Sequence, residues 1–438
     1  MDLELTLTLT CPHCGFAGNQ VEIEDEEDFG MRTFCNSCGQ PFNVPEQSEL
    51  QPPPPETTAP EPEEWNLQTP ERMKWRYPVE VDEGVPAACP LLNSPAVDED
   101  GRVYACLQNE VVALSIENDQ PEVLWTFPVG LRIPGSPSLG PDGRLRVHSL
   151  DGKLYCLTRD GQLAWDALRV GDPLGSATPL GDLEGNTWVC SATGGLLKVD
   201  PAGRMDSRAF LRSPVQFNST GIISENTLFV GGEDQFVHAI DLSQSRGREL
   251  WEESQNHGRT GWYINAALAI LSDRTLIVTS RDDHLYNFAL DGTERWKVKL
   301  PGQALGSPVV DADNRIYVGL TQKNRGSLVC IDSRTQRVAW SYATESPIES
   351  TPAIGGDGTL YFGDNRGTIH AVNAEGKALW TETVGVPLRS PTVIVREGRV
   401  VFGLDNGLLI ALECDSPQPT AGWPKFLGTL QQSGLVLG

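Results

Sequence analysis

Short runs of alternating apolar and polar residues, separated by turn residues, fill the chain from residue 75 onward. In one unit, residues 359–362 and 368–372 alternate as strands, and residues 378–383 form the last strand. The turns at 355–358 and 365–367 contain Asp, Asn and Gly, which supply the positive φ angles that tight hairpins require. With a short strand before the first turn, the pattern predicts four antiparallel strands per unit.

The unit recurs along the chain, and two landmarks give the same count of eight. The first landmark is a tryptophan in the last strand, with one degenerate position near Ser207: Trp125, Trp165, Trp251, Trp296, Trp340, Trp380 and Trp423. The second landmark is a small residue, often before proline: Ser94, Ser136, Ser176, Ser219, Ala266, Ser307, Ser350 and Ser390. Four-stranded units of about 40 residues are typical of propeller blades. The sequence therefore predicts an all-β fold, an eight-bladed β-propeller.

Both ends of the repeat region carry a stretch that imitates an outer strand. Residues 75–79 have no blade before them, and residues 423–426 follow the last complete blade. A propeller ring must close, because an open ring would leave an unpaired strand edge. We expect the two stretches to meet in the closing blade; which of them supplies its outermost strand stays open.

The repeat resembles the PQQ-type repeat of BamB-like propellers over residues 75–438. Its motif of Ala-Leu-Asp, Gly and Trp appears here as Cys330-Ile331-Asp332 with Trp340, and as Ala371-Val372-Asn373 with Trp380. The resemblance implies that the outer-strand tryptophans dock on a neighbouring blade. The family includes quinoprotein dehydrogenases, which stack the quinone on adjacent cysteines, and the lipoprotein scaffold of outer-membrane protein assembly. This chain has no adjacent cysteines, so we expect no PQQ cofactor.

Four cysteines near the start of the chain have the spacing of a zinc ribbon. Cys11 and Cys14 form one C-x2-C pair, Cys35 and Cys38 form the second, and twenty residues separate the pairs. Four thiolates complete a tetrahedron without an open position, so the predicted Zn²⁺ is structural. His13 could replace a cysteine ligand. The segment is similar to short bacterial zinc ribbons, which are attached to many different proteins.

The composition divides the chain into three parts. Residues 1–45 form the predicted zinc ribbon, with short strands at 6–10 and 20–24. Residues 46–71 form an acidic, proline-rich linker that includes four consecutive prolines, which favour an extended chain. Residues 72–438 form the predicted propeller.

Charge and hydropathy limit the classes of partner. The net charge is -25, and a strongly acidic surface repels nucleic acid and anionic membranes. No stretch approaches the 18 or so apolar residues of a membrane span, and no signal peptide is visible. Cysteines outside the ribbon occur singly along predicted strands, as in a reducing compartment. We therefore expect a cytoplasmic protein with no nucleic-acid partner and no membrane insertion.

No catalytic motif stands out in the sequence. The six histidines occupy unrelated blade positions: His13, His148, His238, His257, His284 and His370. The Asp-rich turns at 98–101 and 311–314 could suggest calcium, but each lacks a distal bidentate carboxylate, which favours ordinary hairpin turns. The leading hypothesis is a non-catalytic protein-interaction scaffold, with the ribbon as an accessory docking module. The alternatives are an enzyme of hydrolase or lyase type with its active site at the channel mouth, and an exported sensor.

One face of the predicted propeller carries candidate binding residues. The loops from each outer strand to the next inner strand gather at one mouth of the channel, where ligands bind. Five arginines occupy these loops: Arg132, Arg169, Arg212, Arg259 and Arg389. We expect this mouth to bind an acidic peptide, with Trp262 and Tyr263 as apolar anchors and Arg259 as charge partner.

An alternative for the same residues stays open at this point. In it, Trp262 and Tyr263 begin an inner strand and pack in the core. The arginines then pair with nearby carboxylates, namely Asp172, Glu345 and Glu349.

Overall fold

The computed structural model describes separate stretches of the chain. These are residues 5–9, 19–23, 32–34 and 41–43, then 67–78, then 92–418 apart from 108, 117–119, 172–176, 191–194, 206–209, 212, 214, 252–255 and 396–397, and finally 424–429 and 433–436. The chain separates into two compact units, 1–64 and 65–438.

The first unit contains two antiparallel hairpins. Leu5–Leu9 pairs with Asn19–Ile23, and Arg32–Phe34 pairs with Pro41–Asn43. The first pair agrees with the two predicted ribbon strands to within one residue. Cys11, Cys14, Cys35 and Cys38 lie outside the described residues, so the zinc site stays a prediction.

The second unit consists of eight consecutive β-sheets, numbered here as blades 1 to 8. Blade 1 contains Ala96–Val97, Val103–Leu107, Glu110–Ser115 and Glu122–Pro128, and blade 2 contains Ser138–Leu139, Leu145–His148, Lys153–Leu157 and Leu168–Arg169. Blade 3 contains Leu180–Gly181, Thr187–Cys190 and Leu196–Val199, and blade 4 contains Ile222–Ser224, Thr227–Gly231, Val237–Asp241 and Arg248–Glu249. The eight-bladed propeller predicted from the repeats is confirmed.

Blades 5 to 8 follow the same order from the innermost to the outermost strand. Blade 5 contains Ala269–Ile270, Leu276–Ser280, His284–Phe288 and Glu294–Lys299, and blade 6 contains Val309–Val310, Arg315–Gln322, Arg325–Asp332 and Arg337–Thr344. In blade 6, Gln303–Ala304 also pairs with Arg315–Gln322. Blade 7 contains Ala353–Ile354, Leu360–Gly363, Thr368–Val372 and Ala378–Thr383, and blade 8 contains Val393–Val395, Arg399–Gly403, Leu409–Glu413 and Met73–Tyr77. The middle strands of each blade are almost wholly buried, because both of their faces pack against neighbouring blades.

Blade 3 has the least regular outer edge. Among the described residues, its outermost strand is reduced to two isolated bridges, Leu196 to Leu211 and Val199 to Met205. The degenerate tryptophan position at Ser207 lies in the same stretch but outside the described residues. Without an indole on this edge, the blade loses the side chain that anchors the other outer strands.

Ring closure agrees with the expectation for the first end stretch and differs from it for the second. Met73–Tyr77 is the outermost strand of blade 8 and pairs with Leu409–Glu413. Trp75 is 2% exposed there. Leu435–Val436 instead pairs in parallel with Ile222–Ser224, the innermost strand of blade 4. The stretch at 423–426 was wrongly assigned to the closing blade, because the carbonyl of Pro424 accepts from Ile354 in the innermost strand of blade 7.

Outer-strand tryptophans dock on the following blade, as the family resemblance implies. The Nε1 of Trp340 donates to the carbonyl of Ala374 at 3.0 Å, and the Nε1 of Trp125 donates to Arg159 at 2.8 Å. The acceptors lie in the turn before the next outer strand. In this turn Gly376 has φ +80°, and a Cβ there would stand 2.7 Å from the Trp340 ring. A glycine is therefore required under the docked indole.

The small-residue landmark comprises two adjacent positions with different roles. The Oγ of Ser350 and Ser390 hydrogen-bonds the backbone of a glycine in its own blade. The Oγ of Ser136 instead accepts from the amide of Ser94 in the preceding blade, at 2.9 Å. The same contact recurs between Thr178 and the amide of Ser136. These hydroxyls join neighbouring innermost strands around the channel.

The Asp-rich turns support the hairpin interpretation. The Oδ1 of Asp98 accepts the amides of Asp100 and Arg102, and its Oδ2 accepts the hydroxyl of Tyr104. Asp311 makes the equivalent contacts with its own turn and with Tyr317. Each carboxylate thus closes its hairpin and anchors a buried phenol.

No helix within the described stretches is long and apolar enough to cross a membrane.

Candidate docking face

The loops that enter each innermost strand surround one mouth of the channel. They enclose a cavity of about 300 Å³. Hydroxyl and small residues from these loops form its wall, namely Ser136, Thr178, Thr220, Ala266, Ser307 and Thr351. Phe426 also lines the cavity. Several of these hydroxyls are already acceptors in the contacts between blades, so the wall is polar but largely satisfied.

Trp262 and Tyr263 lie on the loop between blades 4 and 5 and are exposed. Trp262 is 50% exposed and Tyr263 is 40% exposed. Their ring centroids are 5.3 Å apart. The innermost strand of blade 5 begins only at Ala269, so the alternative of core packing is wrong. The pair presents a paired aromatic surface to solvent, a feature typical of interface anchors.

The backbone of this loop is clamped by the turn after the second strand of blade 5. The amide of Gly261 donates to Asp282 Oδ2 at 2.9 Å and to the Tyr286 hydroxyl at 3.1 Å. The Trp262 carbonyl accepts from the hydroxyls of Thr260 at 2.7 Å and Ser280 at 3.0 Å. These contacts hold the two aromatic rings outward before any partner arrives, which lowers the entropic cost of binding.

Tyr286 is fixed as a hydrogen-bond donor beneath the loop. Its hydroxyl lies 2.5 Å from Asp282 Oδ2. Burial and the adjacent carboxylate raise the pKa of Tyr286, so the phenol stays protonated at neutral pH. A Cβ on Gly261 would stand 2.2 Å from Asp282, which explains the glycine at this position.

A cleft of about 540 Å³ adjoins the aromatic pair on the side of blade 5. Arg259, Gly261 and Tyr286 line it together with Lys297 and Glu294. Arg259 is exposed, and its guanidinium contacts the Asn256 side chain at 2.9 Å. The Lys297 ammonium lies 5.5 Å from the centre of the Tyr286 ring. The cleft thus combines two cations with an aromatic wall.

The other predicted arginines are not equivalent. Arg132 is exposed on the loop between blades 1 and 2, and Arg212 lies outside the described residues. Arg389 is half-buried and holds Asp405 through two nitrogens at 2.5 and 2.7 Å. For Arg389 the structure favours the alternative in which the arginines pair with carboxylates, with Asp405 from the turn after the second strand of blade 8 as the partner.

The predicted carboxylate partners also differ from those observed. Glu345 pairs with Arg366 at 3.1 Å, and Glu349 accepts from the Asn365 amide at 2.7 Å. Asp172 lies outside the described residues. Arg366 and Asn365 belong to a hairpin turn on the same face. The prediction considered only the loops between blades and therefore omitted these two partners.

Sequence reasoning missed His238, which supports the segment that carries Arg259. The His238 ring is buried, with Asp234 at 3.1 Å on one nitrogen and Glu249 at 3.0 Å on the other. Val237 precedes His238 in the same strand, and its amide donates to the carbonyl of Gly258 at 2.9 Å. Burial disfavours the charged ring, but the two carboxylates outweigh it and raise the pKa of His238 from 6.5 to about 9.

The His238 pKa predicts a pH-dependent stability. Because the folded-state pKa of about 9 exceeds the ordinary 6.5, the charged ring stabilises the fold fully below pH 6.5 and ceases to do so as pH rises through 9. His238→Gln should lower the free energy of unfolding by roughly 3 kcal/mol near pH 6 and by much less near pH 10. Urea denaturation of both proteins at the two pH values measures this. Equal destabilisation at both would contradict it.

Comparison with known proteins gives one family and several structural neighbours. A family model described as "Outer membrane protein assembly factor BamB" matches residues 65–264, 233–353 and 324–418. The protein of that name from Yersinia pestis is 25% identical over 230 residues, 47% of this chain and 55% of its own length. The Xanthomonas campestris protein is 27% identical over 157 residues, 34% of this chain and 38% of its own length. The matches thus span about half or less of these relatives.

Solved structures show the same fold at low sequence identity. BamB from Moraxella catarrhalis has a TM-score of 0.60 at 18% identity, covering 73% of this chain and 96% of that one. The computationally designed protein Ika8 has a TM-score of 0.59 at 14% identity, covering 75% and 96%. Sqt1 from Saccharomyces cerevisiae has a TM-score of 0.58 at 14% identity, covering 76% and 97%. At these identities the likeness concerns the fold alone.

Proposed function

Because the chain belongs to the BamB family of PQQ-type repeat propellers, we propose that it is a non-catalytic protein-interaction scaffold. Relatives of that name are described as outer membrane protein assembly factors, and this description supports a protein partner for the present chain. The partner is a protein or an acidic peptide. It docks at the mouth where the loops between blades meet.

The exposed pair Trp262 and Tyr263 is the observation that carries this proposal. These two large aromatic side chains are 50% and 40% exposed. Their contact with water is unfavourable, and a partner that covers them lowers the free energy. The clamp on Gly261 fixes them in place. Aromatic side chains held rigidly are the most frequent interface anchors.

Charge beside the pair favours an acidic partner segment. Arg259 projects into the adjoining cleft with Lys297, and Lys297 lies 3.8 Å from Glu294. Arg259 has no carboxylate within 4 Å among the described residues. An acidic side chain on the partner would pair with Arg259 at the edge of the aromatic surface, which sets orientation and association rate.

A pull-down separates the scaffold from the enzyme alternative. Tagged full-length protein, recovered from its native host, should carry a protein partner in stoichiometric amount. A small molecule retained through purification and seen by mass spectrometry, without a protein partner, would instead favour a hydrolase or lyase acting at the mouth cavity.

We also propose that the first unit is an accessory docking module built on one structural Zn²⁺. Cys11, Cys14, Cys35 and Cys38 would hold the ion, and a ribbon this small depends on its metal for folding. The cytoplasmic location stays a sequence-based prediction, which cell fractionation tests.

The zinc proposal predicts one zinc per chain by elemental analysis. A chelator should unfold the ribbon and leave the melting temperature of the propeller unchanged, since each is a compact unit of its own. Cys35→Ser with Cys38→Ser should reproduce the effect of the chelator. Protein without zinc, or a propeller transition that moves with the chelator, would contradict the proposal.

A further inference from the structure

A segment near the end of the sequence lies against the channel wall. The described residues of this segment, 424–429 and 433–436, are named here the channel segment. The carbonyl of Pro424 accepts from the amide of Ile354 in blade 7 at 2.9 Å. The carbonyl of Gly434 accepts from the amide of Ile223 in blade 4 at 2.7 Å. Both amides belong to innermost strands, so the segment crosses between non-adjacent blades.

Blade 4 receives the channel segment as an added strand. Leu435 and Val436 pair in parallel with Ile223 and Ser224. Every other inter-strand ladder described in the propeller is antiparallel. Addition of one extended strand to a free sheet edge is a general mode of peptide recognition. The innermost edge of blade 4 provides such an edge.

Side chains of the channel segment fit the wall closely. Leu427 is 0% exposed and Leu435 is 8% exposed, and both belong to the apolar cluster around Ile222 and Ile223. Gly434 has φ +58°, and a Cβ there would stand 3.0 Å from the Leu180 side chain. The site therefore selects an extended apolar strand with glycine directly before leucine.

The ring is complete without the channel segment. Met73–Tyr77 closes blade 8, and only two residues of the channel segment pair with blade 4. The segment also buries Lys425, whose Nζ has no hydrogen-bond partner among the described residues. Burial lowers the pKa of Lys425 to about 7. An unpaired buried amine costs free energy, so the segment is held less firmly than its apolar contacts alone would hold it.

We propose that the innermost edge of blade 4 is a binding site for an extended apolar peptide, and that the channel segment occupies it as an exchangeable internal ligand. The same sequence supplied as a separate peptide takes the site once the internal copy is displaced. This site is distinct from the aromatic docking face, and the proposal does not rest on the proposed function of that face.

Peptide binding to two full-length proteins tests the proposal. The probe is a fluorescent synthetic peptide of residues 424–436, and the proteins are the wild type and Leu435→Asp, which displaces the internal copy. Fluorescence anisotropy should show the variant binding the peptide at least about 100-fold more tightly than the wild type. A Gly434→Val peptide should lose most of this affinity. Equal affinity of the two proteins, or a folded variant that binds no peptide, would overturn the proposal.

Hydrogen exchange on the wild-type chain gives a second test that needs no variant. If the segment detaches without unfolding, the Ile223 amide should exchange at least about 100-fold faster than the buried amides between Thr227–Gly231 and Val237–Asp241. Exchange of all these amides at one rate would show that the segment leaves only on global unfolding, which would overturn the proposal. Arg259, Trp262 and Tyr263 enter neither measurement. A negative result for the blade 4 site therefore leaves the proposed function intact.

Discussion

Trp340→Ala should lower the free energy of unfolding by roughly 3 kcal/mol, the lower end of the range for aromatic deletions, because the indole is half-buried. The indole joins blade 6 to blade 7 in two ways: its Nε1 donates to the Ala374 carbonyl at 3.0 Å, and its ring covers Gly376. Within blade 6, the ring also packs 5.8 Å from Tyr317. Alanine leaves a cavity at the seam between blades and an unpaired carbonyl. Chemical denaturation monitored by far-UV circular dichroism measures the change.

The control for this prediction lies on the same outer strand. Val338 is 37% exposed, and Val338→Ala should change the free energy of unfolding by no more than about 0.5 kcal/mol. Trp380→Ala in blade 7 should repeat the large effect, with the adjacent, exposed Leu379→Ala as its control. If the tryptophan and control variants lose similar stability, indole docking is not what joins the blades. The degenerate position at Ser207 should also be nearly silent on change to alanine.

Arg146→Ala should cost about 3 kcal/mol, because it empties the space of a fully buried side chain and leaves the Thr187 hydroxyl and the Arg144 carbonyl without their donor. The Arg146 side chain is 1% exposed. Its guanidinium donates to both carboxylate oxygens of Asp142, at 3.0 and 2.8 Å. Its Nε donates to the hydroxyl of Thr187 in blade 3 at 2.8 Å. This contact ties blades 2 and 3 together.

The chain offers an exposed ion pair with the same sequence spacing as a control. Arg204 and Asp200 have the same spacing and the same 2.8 Å separation as Arg146 and Asp142, but the Arg204 side chain is 80% exposed. Arg204→Ala should therefore cost less than about 1 kcal/mol. Calorimetric melting of both variants compares them directly. Equal losses would show that burial does not set the contribution of Arg146.

Local patterns were sufficient to predict the blades. Turn residues and alternation located strands such as 368–372 and 378–383, which the structure gives as Thr368–Val372 and Ala378–Thr383. The repeated tryptophans gave the number of blades, since each indole requires a following blade to dock on. These features are encoded within about 40 residues of sequence, so a single chain displays them eight times.

The choice of the closing strand and the course of the channel segment could not be predicted in this way. Pairing of Met73–Tyr77 with Leu409–Glu413, and of Leu435 with Ile223, joins residues that are far apart in sequence and occurs once each. Nothing repeats to reveal such contacts. Arg146 was missed for a related reason, because it occupies a position where other blades bury Tyr104 or Trp188, and no local pattern marks an arginine there as buried.

The docking face was predicted in part. The sequence located Arg259, Trp262 and Tyr263 on one loop, but it could not decide between an exposed loop and an inner strand. The loop is exposed because the amide of Gly261 donates to Asp282, and only folding brings these two residues together. The sequence did not identify Asp405 as the partner of Arg389, because Asp405 lies in a turn within blade 8 and not in a loop between blades.

The affinity of the purified partner for a docking-face variant tests the central claim most directly. The variant Arg259→Ala, Trp262→Ala, Tyr263→Ala removes the aromatic pair and its cation, and Leu379→Ala removes one exposed apolar side chain from an outer strand. Isothermal titration should show the triple variant binding at least about 100-fold more weakly than the wild type, with its far-UV spectrum unchanged and Leu379→Ala binding normally. A folded triple variant that binds as tightly as the wild type would contradict the assignment of this face as the docking site.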